Sequence, residues 1–83
     1  MFYVYILYAA KYDRYYVGHC EDISIRLDRH NSKMVPSTKP CIPWVLVYSE
    51  TYSTRQEATA REVYIKRMKS RKFIEGLISS RQK

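Results

Sequence analysis

Glu62 carries the functional group that is hardest to explain as part of a fold. Ala58 and Ile65 flank it on the same face of a predicted helix, so its carboxylate lies on or beside the stripe that should pack against the rest of the protein. A carboxylate in that position is usually paired with an arginine or a lysine, and otherwise it can bind a metal ion. The helix pattern alone leaves both interpretations open.

Two tyrosines could present their hydroxyl groups on one face of a β-hairpin. Strand patterns over 1–9 and 15–20 flank the polar segment 11–14. A register in which paired residue numbers sum to 21 sets Tyr5 opposite Tyr16. The other face of the hairpin then collects the apolar set Phe2, Val4, Ile6, Tyr15 and Val17. A slip by one residue would separate the two tyrosines, so their shared face depends on the register.

Gly18 lies inside the second strand pattern, and the same register sets it opposite Tyr3. A glycine within a strand marks either a bulge or a place where another backbone or a ligand comes close. The sequence leaves both explanations open.

A helix with a mixed apolar and cationic stripe is predicted next. Asp22 can cap it, and Asn31-Ser32 ends it. The stripe has the i, i+3, i+4, i+7 spacing of one helical face and consists of Ile23, Arg26, Leu27 and His30. Arg26, which can bind an anion, and His30, which can transfer a proton, therefore share a face with the two apolar residues.

The segment 31–43 holds all three prolines and is long for a loop, which makes it a candidate functional segment. A third strand follows over 44–50. Thr54 and Glu57 then stand at capping-box spacing, at the start of a helix that runs through Lys69.

Ser70 can cap a last helix before the polar tail 79–83, which we expect to fray. The apolar face of that helix is formed by Phe73, Ile74, Leu77 and Ile78. The order β-β-α-β-α-α predicts an α+β fold, a small three-stranded antiparallel sheet flanked by helices, in a single domain over 1–83.

The charge balance indicates a polyanionic partner. The chain has 15 Lys and Arg against 8 Asp and Glu, a net charge of +7 in 83 residues. This size excludes a large multi-step enzyme, and the charge favours nucleic acid ahead of a membrane surface. The surplus is concentrated in a run without acids that contains Lys66, Arg67, Lys69, Arg71 and Lys72. Such a run binds phosphates or is a solvated helix face.

Zinc deserves separate consideration because His19, Cys20, His30 and Cys41 offer nitrogen and sulfur ligands. His19 and Cys20 are neighbours in a strand and would point to opposite faces, and neither CxxC nor HxxxH spacing occurs. We therefore expect the cysteines to pack in the core. The longest apolar run, 2–10, is too short to span a bilayer, so we expect a soluble protein of the cytoplasm.

These residues together resemble the GIY-YIG nuclease superfamily. The segments 3–5 (Tyr-Val-Tyr) and 16–18 (Tyr-Val-Gly) occupy its two signatures, with the tyrosines Tyr5 and Tyr16 11 positions apart. Arg26, His30 and Glu62 follow in the order and spacing of the family. The likeness covers nearly the whole chain and is greatest to small single-domain bacterial members related to the N-terminal nuclease domain of the excision-repair protein UvrC.

The resemblance implies metal-assisted hydrolysis of phosphodiester bonds, with DNA in repair or recombination as the expected substrate. It implies that Glu62 binds Mg²⁺ or Mn²⁺ and that Arg26 stabilises charge on phosphorus. Tyr5 or Tyr16 would accept the proton of the attacking water, and His30 would assist. Gly18 is also expected to approach the nucleic acid, as are the five cations of the basic run. His19 either touches the phosphate or points outward.

Two departures from the family pattern stand out. Tyr3 replaces the leading glycine of the first signature, and Ile74 stands where several family nucleases have an asparagine. Two rival functions also fit the charge: a nucleic-acid-binding module without turnover, and a small basic adaptor for an acidic protein partner.

Overall fold

The computed structural model describes residues 1–33 and 35–80. The strands are β1 (Phe2–Ala9), β2 (Arg14–Cys20) and β3 (Val45–Tyr52), and the helices are α1 (Ile23–Asn31), α2 (Arg55–Met68) and α3 (Arg71–Ser80). A short 3-10 turn, Lys39–Cys41, interrupts the segment predicted to be a loop. None of the helices in the described parts of the chain is long and apolar enough to cross a membrane.

The three strands form one antiparallel sheet in the order β2-β1-β3, which confirms the predicted α+β class and element order. The central strand β1 is fully buried from Val4 to Leu7 because both faces of the sheet are covered. One face packs against α2 and α3 through the cluster Val4, Ile6, Val17, Tyr48, Ala58 and Ile65. The other face packs against α1 and the segment after it, through the cluster Tyr5, Leu7, Ala9, Cys20, Cys41 and Trp44.

The hairpin register differs from the predicted one by two residues. Paired residue numbers sum to 23, so Tyr5 lies opposite Gly18 and Tyr16 lies opposite Leu7. The reason is a turn of four residues, 10–13, in which Asp13 adopts a left-handed φ of 53° and its carboxylate accepts a hydrogen bond of 2.6 Å from a β1 tyrosine, Tyr8. Because side chains alternate with period two, an even shift leaves both tyrosines on the same face.

The predicted helix caps are confirmed. At the start of α1, the Asp22 side chain accepts from the backbone N–H of Ile25 at 3.0 Å. At α2, Thr54 accepts from the N–H of Glu57 at 3.2 Å, and at α3, Ser70 accepts from the N–H of Phe73 at 3.1 Å. The predicted extension of α2 through Lys69 is wrong by one residue because Lys69 is left-handed, with φ 46°. Fraying from Ser79 is also not seen, since α3 continues to Ser80; residues 81–83 lie outside the described part.

An ion pair fixes α2 against β3. The guanidinium of Arg61 donates to both carboxylate oxygens of Glu50, at 2.9 and 3.0 Å, and the hydroxyls of Tyr48 and Tyr52 donate to the same carboxylate. Burial opposes ionisation of Glu50, but these hydrogen bonds outweigh burial and hold its pKa below the ordinary value. The pair is well shielded, with 11% of the Glu50 side chain and 27% of the Arg61 side chain exposed.

Glu50→Gln should destabilise the fold by about 3 kcal/mol, because it leaves a partly buried guanidinium without its counter-charge. The control is Glu21→Gln, which removes an exposed ion pair with Arg55 and should cost less than about 1 kcal/mol. A lowered carboxyl pKa stabilises the folded state above the ordinary value of 4.5, and the benefit disappears as the pH falls through the folded pKa. Urea unfolding from pH 7 to pH 3 should therefore show the Glu50→Gln defect shrinking with acid. A loss of stability in Glu50→Gln that stays the same from pH 7 to pH 3 would contradict the lowered pKa of Glu50.

Candidate active site

Three aromatic side chains meet on the face of the sheet covered by α1. Tyr5 comes from the central strand, Tyr16 from the edge strand β2, and His30 from the last turn of α1. The Tyr5 hydroxyl lies 3.1 Å from His30 Nε2, and the ring centroids of Tyr16 and His30 are 4.7 Å apart. The two tyrosine rings are 6.3 Å apart, so the structure brings together three of the residues that the sequence singled out.

A chain of hydrogen bonds connects this group to the segment after α1. The Thr38 hydroxyl donates to the carbonyl of Val35 at 3.3 Å and lies 3.0 Å from His30 Nδ1. We assign the hydroxyl proton to the Val35 carbonyl, and on this assignment Thr38 accepts from His30 and Nδ1 carries the imidazole proton. His30 Nε2 is then an acceptor, and the Tyr5 hydroxyl donates to it.

Burial reinforces this arrangement. His30 is 1% exposed, and burial together with the nearby Arg26 charge lowers its pKa, which favours the neutral imidazole. Burial also raises the pKa of Tyr5 strongly, and the proximity of Tyr16 adds to that effect. Tyr5 therefore keeps its proton at neutral pH and directs it at a neutral acceptor.

Thr38 is a site residue that the sequence reasoning did not identify. Its side chain is 1% exposed, and its carbonyl accepts a hydrogen bond of 2.9 Å from the Trp44 indole. Asn31 in turn holds the Trp44 backbone, with its side chain donating to the carbonyl and accepting from the N–H. The one signal in the sequence was the prediction that the segment 31–43 is functional, and Thr38 lies in this segment.

Gly18 provides space for the Tyr5 phenol. A Cβ at this position would lie 2.6 Å from the Tyr5 oxygen and 2.7 Å from Cζ, closer than atoms can pack. The predicted close approach is therefore made by a side chain of the neighbouring strand. The β1–β2 pairing runs through Gly18 without a bulge, and the expected approach of Gly18 to nucleic acid stays a prediction.

Glu62 reaches the site from the opposite face of the sheet. Convergence of Glu62 with the tyrosines requires the helix over 55–69 to approach the tyrosine face, but α2 packs through Ala58 and Ile65 on the other face. The carboxylate instead lies at the edge strand, where Oε1 is 2.5 Å from His19 Nδ1 and Oε2 accepts from Lys66 Nζ at 2.7 Å. Both oxygens are thus paired, as the ion-pair interpretation expected.

Lys66 connects this carboxylate to the tyrosines, since its Nζ lies 5.9 Å from the centroid of the Tyr16 ring. Burial opposes ionisation of Glu62, but the hydrogen bonds from Lys66 and His19 outweigh it and lower the pKa of the carboxyl. The charges of both Arg26 and Glu62 act on the Tyr5 phenol. Arg26 and Glu62 therefore lie close enough to the aromatic group for their charges to act on it.

The donor set suits a hard divalent cation held by one carboxylate. No group of three or more His, Cys, Asp and Glu side chains is arranged to hold a metal within residues 1–33 and 35–80. Glu62 is ionised and partly exposed, and a single carboxylate is a typical protein ligand for Mg²⁺, which keeps several water ligands. Glu62 is thus the residue that would hold such a cation, with Lys66 or His19 giving up one of its two oxygens.

The basic run is divided between two helices. Lys66 and Arg67 lie in the last turn of α2, Lys69 lies between the helices, and Arg71 and Lys72 lie in the first turn of α3. Arg71 is paired with Asp13 and Glu75. Within the described chain, no ion pair is seen for the other three: Arg67, Lys69 and Lys72.

Comparison with known proteins gives concordant results. A UPF0213 protein of Staphylococcus epidermidis is 44% identical over 52 residues, which are 61% of this chain and 63% of the relative. A UPF0213 protein of Streptococcus pneumoniae is 34% identical over 68 residues, covering 81% of this chain and 68% of that protein. The match to the Staphylococcus relative thus spans just under two thirds of its length.

A solved structure resembles this one over most of its length. The solution NMR structure of a UPF0213 protein from Bacillus halodurans superposes with a TM-score of 0.59 at 33% identity, covering 95% of this chain and 84% of that one. The family model of the GIY-YIG catalytic domain matches residues 1–74. This range includes the predicted catalytic and metal-binding residues Tyr5, Tyr16, Arg26, His30 and Glu62. The chain therefore belongs to the GIY-YIG catalytic domain family.

Proposed function

We propose that the protein is a divalent-metal-dependent endonuclease that hydrolyses phosphodiester bonds of nucleic acid, with DNA in repair or recombination as its substrate and the cytoplasm as its location. The observation that carries the proposal is the hydrogen-bond chain from Tyr5 through His30 to Thr38. The chain satisfies a buried hydroxyl in any case, but it also sets a proton acceptor beside the phenol, which hydrolysis would use and phosphate binding alone would not.

The same chain supports Tyr5 as the general base. The raised pKa keeps the Tyr5 phenol protonated at neutral pH, and a protonated phenol is a poor base. Its own proton must therefore leave as it accepts one from water. His30 Nε2 lies at hydrogen-bond distance and receives that proton, while the Nδ1 proton stays on its bond to Thr38. Tyr16 lacks such an acceptor contact in the described chain and packs its ring on His30 instead.

Arg26 and Glu62 supply the charges that hydrolysis requires. Arg26 stands near Tyr5 and would stabilise both a developing phenolate and the extra negative charge on phosphorus. Glu62 would hold the cation, which when bound would polarise the phosphate and stabilise the leaving oxygen. Lys66 would then exchange its bond to Glu62 for one to a phosphate oxygen.

The binding-module alternative is stronger than the sequence alone suggested. An unpaired inward acid would have opposed phosphate binding, but Glu62 is neutralised by Lys66 and His19. What favours turnover is therefore the proton chain rather than the carboxylate. The adaptor alternative gains no specific support, since it requires none of these contacts.

Replacing Thr38 tests the proton chain. Thr38→Val removes the acceptor for His30 Nδ1, so the imidazole can move its proton to Nε2 and no longer accept from Tyr5; cleavage should fall by roughly 10²-fold. Thr38→Ser keeps the hydroxyl and should restore most of the rate. If the valine and serine variants cleave equally while both are folded, Thr38 has only a packing role.

The pKa of His30 can be measured without any substrate. An NMR titration should give a value below the ordinary 6.5, and the acid limb of kcat/KM should lie below 6.5 as well, because neutral His30 is the active form. Arg26→Gln should raise this pKa by removing a nearby positive charge, whereas Arg26→Lys should not. His19→Gln assigns the resonances, since the chain has two histidines. A His30 pKa above 6.5 would contradict the proposed acceptor.

The central experiment is a cleavage panel of linear and branched DNA and RNA with Mg²⁺ or Mn²⁺. Glu62→Gln should abolish metal-dependent cleavage, with a loss of at least about 10³-fold, while binding of nucleic acid without metal is kept. Tyr5→Phe should be more damaging than Tyr16→Phe, and Glu21→Gln should cleave normally. If the wild-type protein binds tightly and cleaves nothing in the panel, the binding module is the correct function.

A further inference from the structure

A groove with a volume of about 520 Å³ runs along the edge strand β2, between that strand and the junction of α2 with α3. It begins at the candidate active site, because Tyr16 and Lys66 line it and Lys66 also contacts Glu62. Whatever lies in the groove is therefore next to the proposed scissile phosphate.

The groove has an apolar floor and a cationic rim. The partly exposed side chains of Tyr15 and Ile74 form the floor, whereas Val17 and Ile65, which also line the groove, are buried. The rim carries four cations, Arg14, Lys66, Lys69 and Arg71. One carboxylate, Asp13, also lines the groove, but Arg71 compensates its charge at 2.6 Å.

An apolar floor with a cationic rim favours an unpaired strand over a duplex. A duplex presents phosphates at its surface while its base faces are stacked inside, so a duplex has nothing to place against an apolar floor. An unpaired strand offers both a charged backbone and free base faces, and proteins bind such strands with cationic grooves and apolar or aromatic platforms. The volume also lies in the range of sites for small ligands, which suits a nucleotide or two.

We propose that this groove binds an unpaired segment of the substrate that continues from the scissile phosphate, so that the substrate class is a duplex bearing a single-stranded tail. The proposal deepens the proposed nuclease function, on which it rests for the position of the scissile bond. The floor contacts the bases, and Arg14 and Lys69 contact the tail phosphates.

Binding in EDTA tests the groove independently of cleavage. Fluorescence anisotropy compares a blunt duplex with the same duplex carrying a short thymidine tail on either strand. The wild-type protein should bind one tailed form about tenfold more tightly than the blunt form. The double variant Arg14→Gln/Lys69→Gln should reduce this preference to less than about twofold.

A matched control separates the groove from general charge. Arg67 and Lys72 belong to the same basic run but are absent from the groove lining in the described part of the chain. The double variant Arg67→Gln/Lys72→Gln removes the same charge and should weaken both substrates together, leaving the tail preference near tenfold. Circular dichroism should show that both double variants fold, since the four positions are exposed.

Each outcome has a defined meaning. Equal binding of blunt and tailed duplexes overturns the groove proposal, as does a tail preference that survives Arg14→Gln/Lys69→Gln. Cleavage of both forms with equal kcat/KM overturns it while leaving the nuclease intact. A tail preference that depends on Arg14 and Lys69, in a protein that cleaves nothing, supports the groove and rejects the nuclease.

Discussion

A buried phenol at the centre of the sheet is the constraint on which the site depends. Tyr5 is 1% exposed, and a hydroxyl removed from water needs a hydrogen-bond partner. His30 supplies it, but only as the tautomer that Thr38 imposes. Further hydrogen bonds hold Thr38 in place. The Trp44 indole donates to the Thr38 carbonyl, and the Asn31 side chain bonds to the Trp44 backbone. A core requirement for satisfied polar groups thus organises the segment after α1.

The edge position of β2 explains how residues from both sides of the sheet come together. A central strand would separate α1 from α2, since each helix packs on its own face. At an edge, His19 points to one face and Tyr16 to the other, while Lys66 on α2 contacts Glu62 and reaches the Tyr16 ring. The basic groove is a second consequence of the same geometry, because an edge strand leaves one side open beside the helix junction.

Sequence patterns predicted the fold class, the element order and the three helix caps, because each depends on local spacing. The hairpin register was wrong because it depends on turn length, and nothing local indicated that Asp13 would adopt a left-handed conformation. The sheet face on which α2 packs could not be predicted, since helical periodicity shows which side of a helix is buried but not which sheet face it covers. Thr38 was missed because its partner His30 lies in another element and no spacing rule connects them.

The pairing of Glu62 with Lys66 and His19 has a consequence for how a polyanion arrives. A bare carboxylate at the mouth of the site would repel phosphate, whereas a carboxylate matched by its own lysine presents little net field. In the proposed nuclease, nucleic acid would therefore dock before any cation enters, guided by the remaining positive charge of the chain. Either the substrate or the cation could then bind first, because the carboxylate carries its own counterion.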